Sequence, residues 1–172
     1  MRRITTRFIV PIALLTAVGM SHEGWSSPQS APVDYAKIAP LELVKETAKG
    51  KLHNPYKDTD KDIVAQGRTA FNGYTCSGCH GGNGGGGMCP PLTNGVWIYG
   101  GDDDTLFRLV TLGSVDLQKA GYTKGFGAAQ GPMPSMGPLF KNSDDLWRIL
   151  AFVRSEYDGD PAYKYGAPAS QQ

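Results

Sequence analysis

The chain has 172 residues and carries 17 lysines and arginines against 16 aspartates and glutamates. The length indicates a single domain once any removable segment is set aside, and the near balance of charge excludes the basic surface typical of nucleic-acid binding. Glycine and proline are abundant, with 23 and 12 residues, so much of the chain is predicted to be loop.

The first segment has the layout of a secretory signal. Three arginines within the first seven residues precede an apolar run, residues 8–18, that is too short to span a bilayer. We predict a signal peptide over residues 1–21, a periplasmic location and no stable membrane insertion after cleavage. An uncleaved N-terminal anchor is the alternative. Removing the segment leaves 14 basic against 16 acidic side chains, so the mature chain is slightly negative.

The elements that follow are predicted to be helical. An N-terminal extension, residues 22–58, contains one short helix opened by Pro40. From Asp60 the apolar residues recur at helical spacing, and this helix ends just before Cys76. No alternating strand pattern is present, so the predicted fold is all-α.

Two further helices are predicted in the second half of the chain. The acidic run Asp102–Asp104 favours the N-terminus of one, which Gly113 ends. Ser143 is expected to cap the last helix. A long loop over residues 121–142 separates the two, and the domain predicted over residues 59–158 is followed by a polar tail, residues 159–172.

Three or four short helices joined by long loops cannot bury each other well. A loop-rich domain of about 100 residues usually needs a disulfide, a metal or a cofactor to complete its core. The three cysteines supply at most one disulfide. A flat apolar prosthetic group between the helices would solve this packing problem.

The strongest motif is Cys76-Ser77-Gly78-Cys79-His80. Two thiols three residues apart at the end of a helix can add to the two vinyl groups of one haem, and the adjacent imidazole then lies under the iron. We predict one covalent haem c bound through Cys76 and Cys79, with His80 as an axial iron ligand. A thioredoxin-like site lacks its βαβ context and a zinc site lacks a second ligand pair. A plain disulfide between Cys76 and Cys79 remains as the simplest alternative.

The residues after the motif are expected to orient the imidazole. The second ring N–H of His80 needs a fixed acceptor, and the Pro90 carbonyl follows at a suitable distance. Glycines over residues 81–87 let the backbone pass close to the ring. Cys89 is left over, and we expect it either to be buried beside the haem or to form an intermolecular disulfide.

The sixth iron ligand is expected from the long loop before the last helix. Met133 and Met136 both offer a thioether there, and Met88 is a third candidate. We favour Met133, because proline follows it directly and holds the sulfur on a rigid loop. Thioether ligation raises the reduction potential, which suits an electron carrier. Core packing is the alternative role for either methionine.

Two further alternatives stay open from the residues alone. A haem site with an open sixth position would act as a sensor or in ligand chemistry instead of as a carrier. Asp102–Asp104 could coordinate Ca²⁺, which takes several oxygen ligands, although helix capping explains these acids equally well.

Together these residues resemble a class I cytochrome c. The resemblance covers about residues 60–156 and is carried by the residues listed here: Gly67, Phe71, the Cys76–His80 motif, Pro90-Pro91-Leu92, Met133-Pro134 and Leu146-Trp147 through Phe152. It implies three to four helices around one haem, a first and a last helix that cross at Gly67 near Phe152, and a solvent-exposed haem edge. It also implies an electron-transfer protein and not an enzyme.

A narrower likeness is to cytochrome c-L. It is carried by Asn54-Pro55-Tyr56, Gly127-Ala128-Ala129-Gln130-Gly131 and Val153-Arg154, continuing to Gly159-Asp160-Pro161. This resemblance implies that the electron donor is a PQQ-dependent methanol dehydrogenase. The acceptor would be another cytochrome c or a terminal oxidase. The chain departs from that subfamily in its glycine run and in Cys89.

Overall fold

The computed structural model describes residues 33–95, 97–125 and 131–166. The predicted signal peptide, residues 1–21, lies outside these ranges. The helices in the described ranges are α1 (Pro40–Glu46), α2 (Lys61–Gly73), α3 (Cys76–His80), α4 (Asp103–Lys119), α5 (Ser143–Ser155) and α6 (Pro161–Lys164), with a 3₁₀ turn at Gly137–Leu139. The all-α prediction is confirmed. The described part holds more helices than the predicted three or four, because α3 and α6 are single turns too short to show a helical period.

Helix starts follow ordinary capping chemistry. The Asp60 carboxylate accepts hydrogen bonds from the backbone N–H groups of the first turn of α2. At α5 the cap is Asn142, whose side chain accepts from the N–H of Asp145 at 2.9 Å. The prediction that Ser143 caps this helix is therefore wrong by one residue. The Ser143 hydroxyl donates instead to the Ile38 carbonyl at 2.8 Å, which ties the N-terminal extension to α5.

The central packing contact is the crossing of α2 and α5 at Gly67. A methyl group on Gly67 would overlap the Arg148 carbonyl oxygen and come within 2.9 Å of the Phe152 Cβ, so only glycine allows this approach. One turn further on, the Phe71 and Phe152 rings meet edge to face at a centroid distance of 5.3 Å. This crossing confirms the expectation drawn from the family resemblance.

Helix α5 runs through the core and is buried almost all around. Its apolar side chains pack against α1, α2 and α4, and a charged side chain is buried with them. Arg154 is only 3% exposed, pairs with Asp103 and donates to the Gly101 carbonyl. The buried apolar residues of α5 are Leu146, Trp147, Ile149, Leu150, Ala151, Phe152 and Val153.

Helical geometry is interrupted at Gly113, where the prediction ends the helix. Gly113 has φ 75° and ψ 165°, a conformation essentially restricted to glycine, and the chain then resumes helical structure to Lys119. The predicted stop is therefore confirmed for the first helical segment, and the prediction missed the second segment that follows the kink. The break faces the loop that carries the two candidate methionine ligands.

Among the helices of the described ranges, none is both long enough and apolar enough to cross a bilayer.

We expect Gly67→Ala to destabilise the protein by about 3 kcal/mol, because overpacking a rigid backbone contact forces the two helices apart. The free energy of unfolding of the haem-loaded protein, measured in guanidinium chloride, checks this. Gly73→Ala in the same helix is the matched control, since nothing lies within 4 Å of its added methyl group. Equal stability of the two variants would contradict the importance of the crossing.

Candidate functional site

A sharp turn connects α2 to the cysteine-histidine motif. Helix α2 ends at Gly73, and Thr75 then adopts φ 62° and ψ 12°, the left-handed conformation, which is rare for a β-branched residue. Cys76 begins α3 directly after this turn. As a result, Cys76, Cys79 and His80 all lie on one short helix directly after α2.

Both motif cysteines are free thiols in partly buried positions, so the alternative of a Cys76–Cys79 disulfide is not what the structure shows. Burial raises the pKa of the Cys76 thiol to about 11. Cys76 also packs against the main apolar core of the protein. Its sulfur therefore lies in largely apolar surroundings, and before haem attachment the free thiol stays protonated at neutral pH.

The His80 ring is held by the residue predicted to hold it. Its Nδ1 lies 2.9 Å from the Pro90 carbonyl oxygen. With Nδ1–H donating to that carbonyl, Nε2 is left with its lone pair and can bind a metal. The prediction of Pro90 as the acceptor is confirmed.

The glycine-rich loop brings Pro90 to this position by folding back on α3. Gly86 N–H donates to the His80 carbonyl at 2.8 Å, and Cys89 N–H donates to the Cys79 carbonyl at 3.1 Å. These bonds satisfy carbonyl groups at the end of α3. A methyl group on Gly87 would lie 2.8 Å from the Cys79 carbonyl oxygen, so glycine is needed for the backbone to approach so closely.

The third cysteine lies beside the second. A hydrogen bond with the Cys79 thiol raises the pKa of the Cys89 thiol, and the Cys89 side chain is partly exposed. Burial of Cys89 beside the haem and an intermolecular disulfide through Cys89 both stay predictions. Its neighbour Met88 is 82% exposed, which makes it one of the most exposed large apolar side chains in the described residues.

The two candidate methionines lie on one loop but differ in their surroundings. The Met136 side chain packs against the apolar core, as the core-packing alternative predicts. Met133 is partly buried, and its backbone is fastened to α4: its N–H donates to the Ser114 hydroxyl and its carbonyl accepts from the Ser114 N–H, both at 3.0 Å. Three of the four predicted site residues thus share α3, and the fourth lies on a loop held by α4.

The role of Ser114 was not visible in the sequence. Ser114 is buried, and it follows the glycine that breaks α4. The glycine within an apolar-periodic segment was the available signal, and it indicated a helix end. No local pattern connects residue 114 with residue 133, because this pairing is made only by the tertiary structure.

The acidic run at the start of α4 is fully used by protein partners. Asp102 caps the helix by accepting from the Thr105 N–H at 2.9 Å, and Asp103 pairs with Arg154. Burial alone would raise the pKa of Asp104, but hydrogen bonds from Tyr122, from backbone N–H groups and from Arg108 hold it below its usual value. The described residues contain no group of three acidic, histidine or cysteine side chains suited to a metal ion. The calcium alternative is therefore unsupported.

Comparison with known proteins identifies the family. The chain is 34% identical over 71 residues to the cbb3-type cytochrome c oxidase subunit CcoP of Azospirillum brasilense, an alignment that covers 37% of this chain and 24% of that protein. It therefore spans about a quarter of that relative. Cytochrome CL from Methylophaga aminisulfidivorans is a structural match with 24% identity and a TM-score of 0.47, covering 67% of this chain and 74% of that one. The cytochrome c family model matches residues 64–156, more than half of the chain, and the chain therefore belongs to the cytochrome c family.

Proposed function

We propose that this cytochrome c is a single-haem electron carrier of the periplasm. It would accept electrons from a PQQ-dependent methanol dehydrogenase and pass them to another cytochrome c or a terminal oxidase. The observation that carries the proposal is the α3 motif, in which Cys76, Cys79 and His80 share one helical turn and the His80 ring is oriented by Pro90. Membership of the cytochrome c family makes the chain an electron-transfer protein and not an enzyme.

The residues present fit the covalent haem c that the family carries. Cys76 and Cys79 offer free thiols three residues apart, as in the attachment motif for the two haem vinyl groups, and His80 offers Nε2. Haem iron supplies a one-electron couple between its ferric and ferrous states. The protein's part is to hold the imidazole in one orientation through Pro90 and to surround Cys76 with apolar groups.

Met133 is proposed as the sixth ligand. Backbone bonds to α4 hold both methionines, but the Met136 side chain packs against the core cluster and the Met133 side chain is not part of it. A ligand on a rigid segment keeps its position in both oxidation states, which lowers the reorganisation needed for electron transfer. With both axial positions filled, the protein would carry electrons and would not bind small ligands at the iron.

The surface beside α3 suits brief contact with a redox partner. Residues 81–88 carry no charged side chain, and Met88 is exposed at their end. The flanking charges neutralise each other: Arg68 pairs with Glu156 at 2.7 Å and also donates to Asn83. Such a surface gives little electrostatic steering, so we propose a largely apolar docking patch formed by residues 81–88 and the methionine loop, residues 131–137.

The donor and the acceptor rest on different grounds. The methanol dehydrogenase donor rests on the likeness of Asn54-Pro55-Tyr56 and the other short segments to cytochrome c-L. The oxidase acceptor is favoured by the relative named as a subunit of a cbb3-type cytochrome c oxidase. In this proposal electrons pass from the dehydrogenase to the cytochrome and from the cytochrome to its acceptor.

We expect one covalent haem per chain in the pyridine haemochrome assay. Cys76→Ala and Cys79→Ala should leave little haem-loaded protein, because each removes one thioether attachment. Cys89→Ala is the matched control and should retain one haem, since its thiol is not part of the attachment motif. Zero or two haems in the wild-type protein would contradict the single-haem carrier.

We expect the oxidised protein to show the weak near-infrared charge-transfer band of iron–thioether ligation. Met133→Ala should abolish this band and lower the reduction potential, because a thioether favours the ferrous state. Met136→Ala, the control on the same loop, should keep the band and lose some stability through its core contacts. The reverse pattern would identify Met136 as the ligand.

We expect rapid reduction of the oxidised cytochrome when it is mixed with methanol and the methanol dehydrogenase of the same organism in a stopped-flow experiment. The rate constant should change less than about tenfold between low and high ionic strength, since the docking patch is uncharged.

Met88→Glu tests the docking patch and should slow this reduction without changing the reduction potential. Val33→Glu is the control, because Val33 is an exposed apolar side chain of the N-terminal extension. Reduction no faster than by free PQQ would exclude this donor and leave the carrier function standing.

A further inference from the structure

The break in α4 exchanges helical hydrogen bonds for bonds to the methionine loop. In an unbroken helix the Ser114 N–H would donate to the Val110 carbonyl. With Gly113 at φ 75° and ψ 165°, the Ser114 N–H donates instead to the Met133 carbonyl at 3.0 Å. The Val110 carbonyl accepts from the Met136 N–H, also at 3.0 Å. The kink in α4 thus leaves one N–H donor and one carbonyl acceptor free to bond with the methionine loop.

Side chains complete the attachment. The Ser114 hydroxyl accepts from the Met133 N–H at 3.0 Å, and the Ser135 hydroxyl donates to the Thr111 carbonyl at 2.7 Å. The contact is also sterically tight, because a methyl group on Gly113 would lie 2.6 Å from the Ser135 nitrogen. Both the backbone conformation and the lack of space for a Cβ atom therefore require glycine at position 113.

From these contacts we infer that Ser114 is a positioning residue for the sixth ligand. Its N–H donates to the Met133 carbonyl, and its hydroxyl accepts from the Met133 N–H. These two bonds fix the loop from which the thioether would reach the iron. This inference rests on the proposed role of Met133. It gives the kink in α4 a function beyond packing, which is to limit dissociation of the Met133 thioether from the iron.

The hydroxyl contact can be removed without touching the ligand. Ser114 is 7% exposed, so without its hydroxyl the Met133 N–H loses an acceptor that water cannot readily replace. The backbone bond from the Ser114 N–H is retained in Ser114→Ala. The loop should then remain in place but dissociate more often, which allows an external ligand to compete with the thioether for iron.

The test uses imidazole as the competing ligand and the haem-loaded protein throughout. We expect Ser114→Ala to bind imidazole about fivefold more tightly than the wild type, the effect of losing one net hydrogen bond. Its near-infrared band should be lost at lower imidazole concentration and its reduction potential should fall. Ser155→Ala removes a hydroxyl that donates to the Phe152 carbonyl within α5 and does not contact the methionine loop, so it should match the wild type.

The outcomes separate the two claims. If Ser114→Ala and Ser155→Ala both bind imidazole as the wild type does, the positioning role is wrong while the ligand assignment stands. If the wild type lacks the band, or if Met133→Ala binds imidazole no more tightly than the wild type, the proposed ligation itself is wrong.

A measurement on the unaltered protein covers the case in which Ser114→Ala fails to fold. In wild-type haem-loaded protein the Met133 amide should be strongly protected from hydrogen exchange, because its N–H donates to a buried hydroxyl. Exchange at the rate of an exposed loop amide would overturn the inference.

Discussion

The close approach of α2 and α5 at Gly67 is the contact on which the site depends. The Arg148 carbonyl of α5 lies where the Cβ atom of any other residue at position 67 would be. This contact fixes the position of the two helices relative to each other at the crossing. Helix α2 ends six residues further on, and α3 follows after a two-residue turn. The crossing therefore determines where the cysteines and the imidazole lie with respect to the apolar core.

The proposed iron ligands come from two separate parts of the chain, and main-chain bonds position each of them. On one side, the glycine-rich loop returns to α3 and places the Pro90 carbonyl against the His80 ring. On the other side, the kink of α4 receives the backbone of the methionine loop. Carbonyl and N–H groups have fixed geometry along a folded chain, so they orient ligands more rigidly than long side chains could.

The sequence allowed prediction of the parts that depend on local chemistry. The Cys76–His80 motif, the start of α2 at Asp60 and the bond from His80 to Pro90 all involve residues within ten or so positions of one another, or a cap of known type. The pairing of Ser114 with Met133 joins positions 19 residues apart and has no local signature. Buried Arg154 was missed for a similar reason, since its partners Asp103 and Gly101 lie some 50 residues away.

The segments at both ends of the described chain are bonded to other parts of the fold, so the packed structure extends beyond the part that the family model matches. Arg108, a buried side chain of α4, donates to the carbonyls of Val44 and Thr47, which precede the stretch shared with the family. At the other end, Lys164 and Tyr165 bond to Asp58, joining the two flanking segments. A chain trimmed to residues 64–156 would lose three carbonyl acceptors of a buried guanidinium, those of Val44, Thr47 and Ala48, which is a costly change in an apolar interior. The stretch that the family model matches is therefore shorter than the stretch that these contacts join into one packed structure.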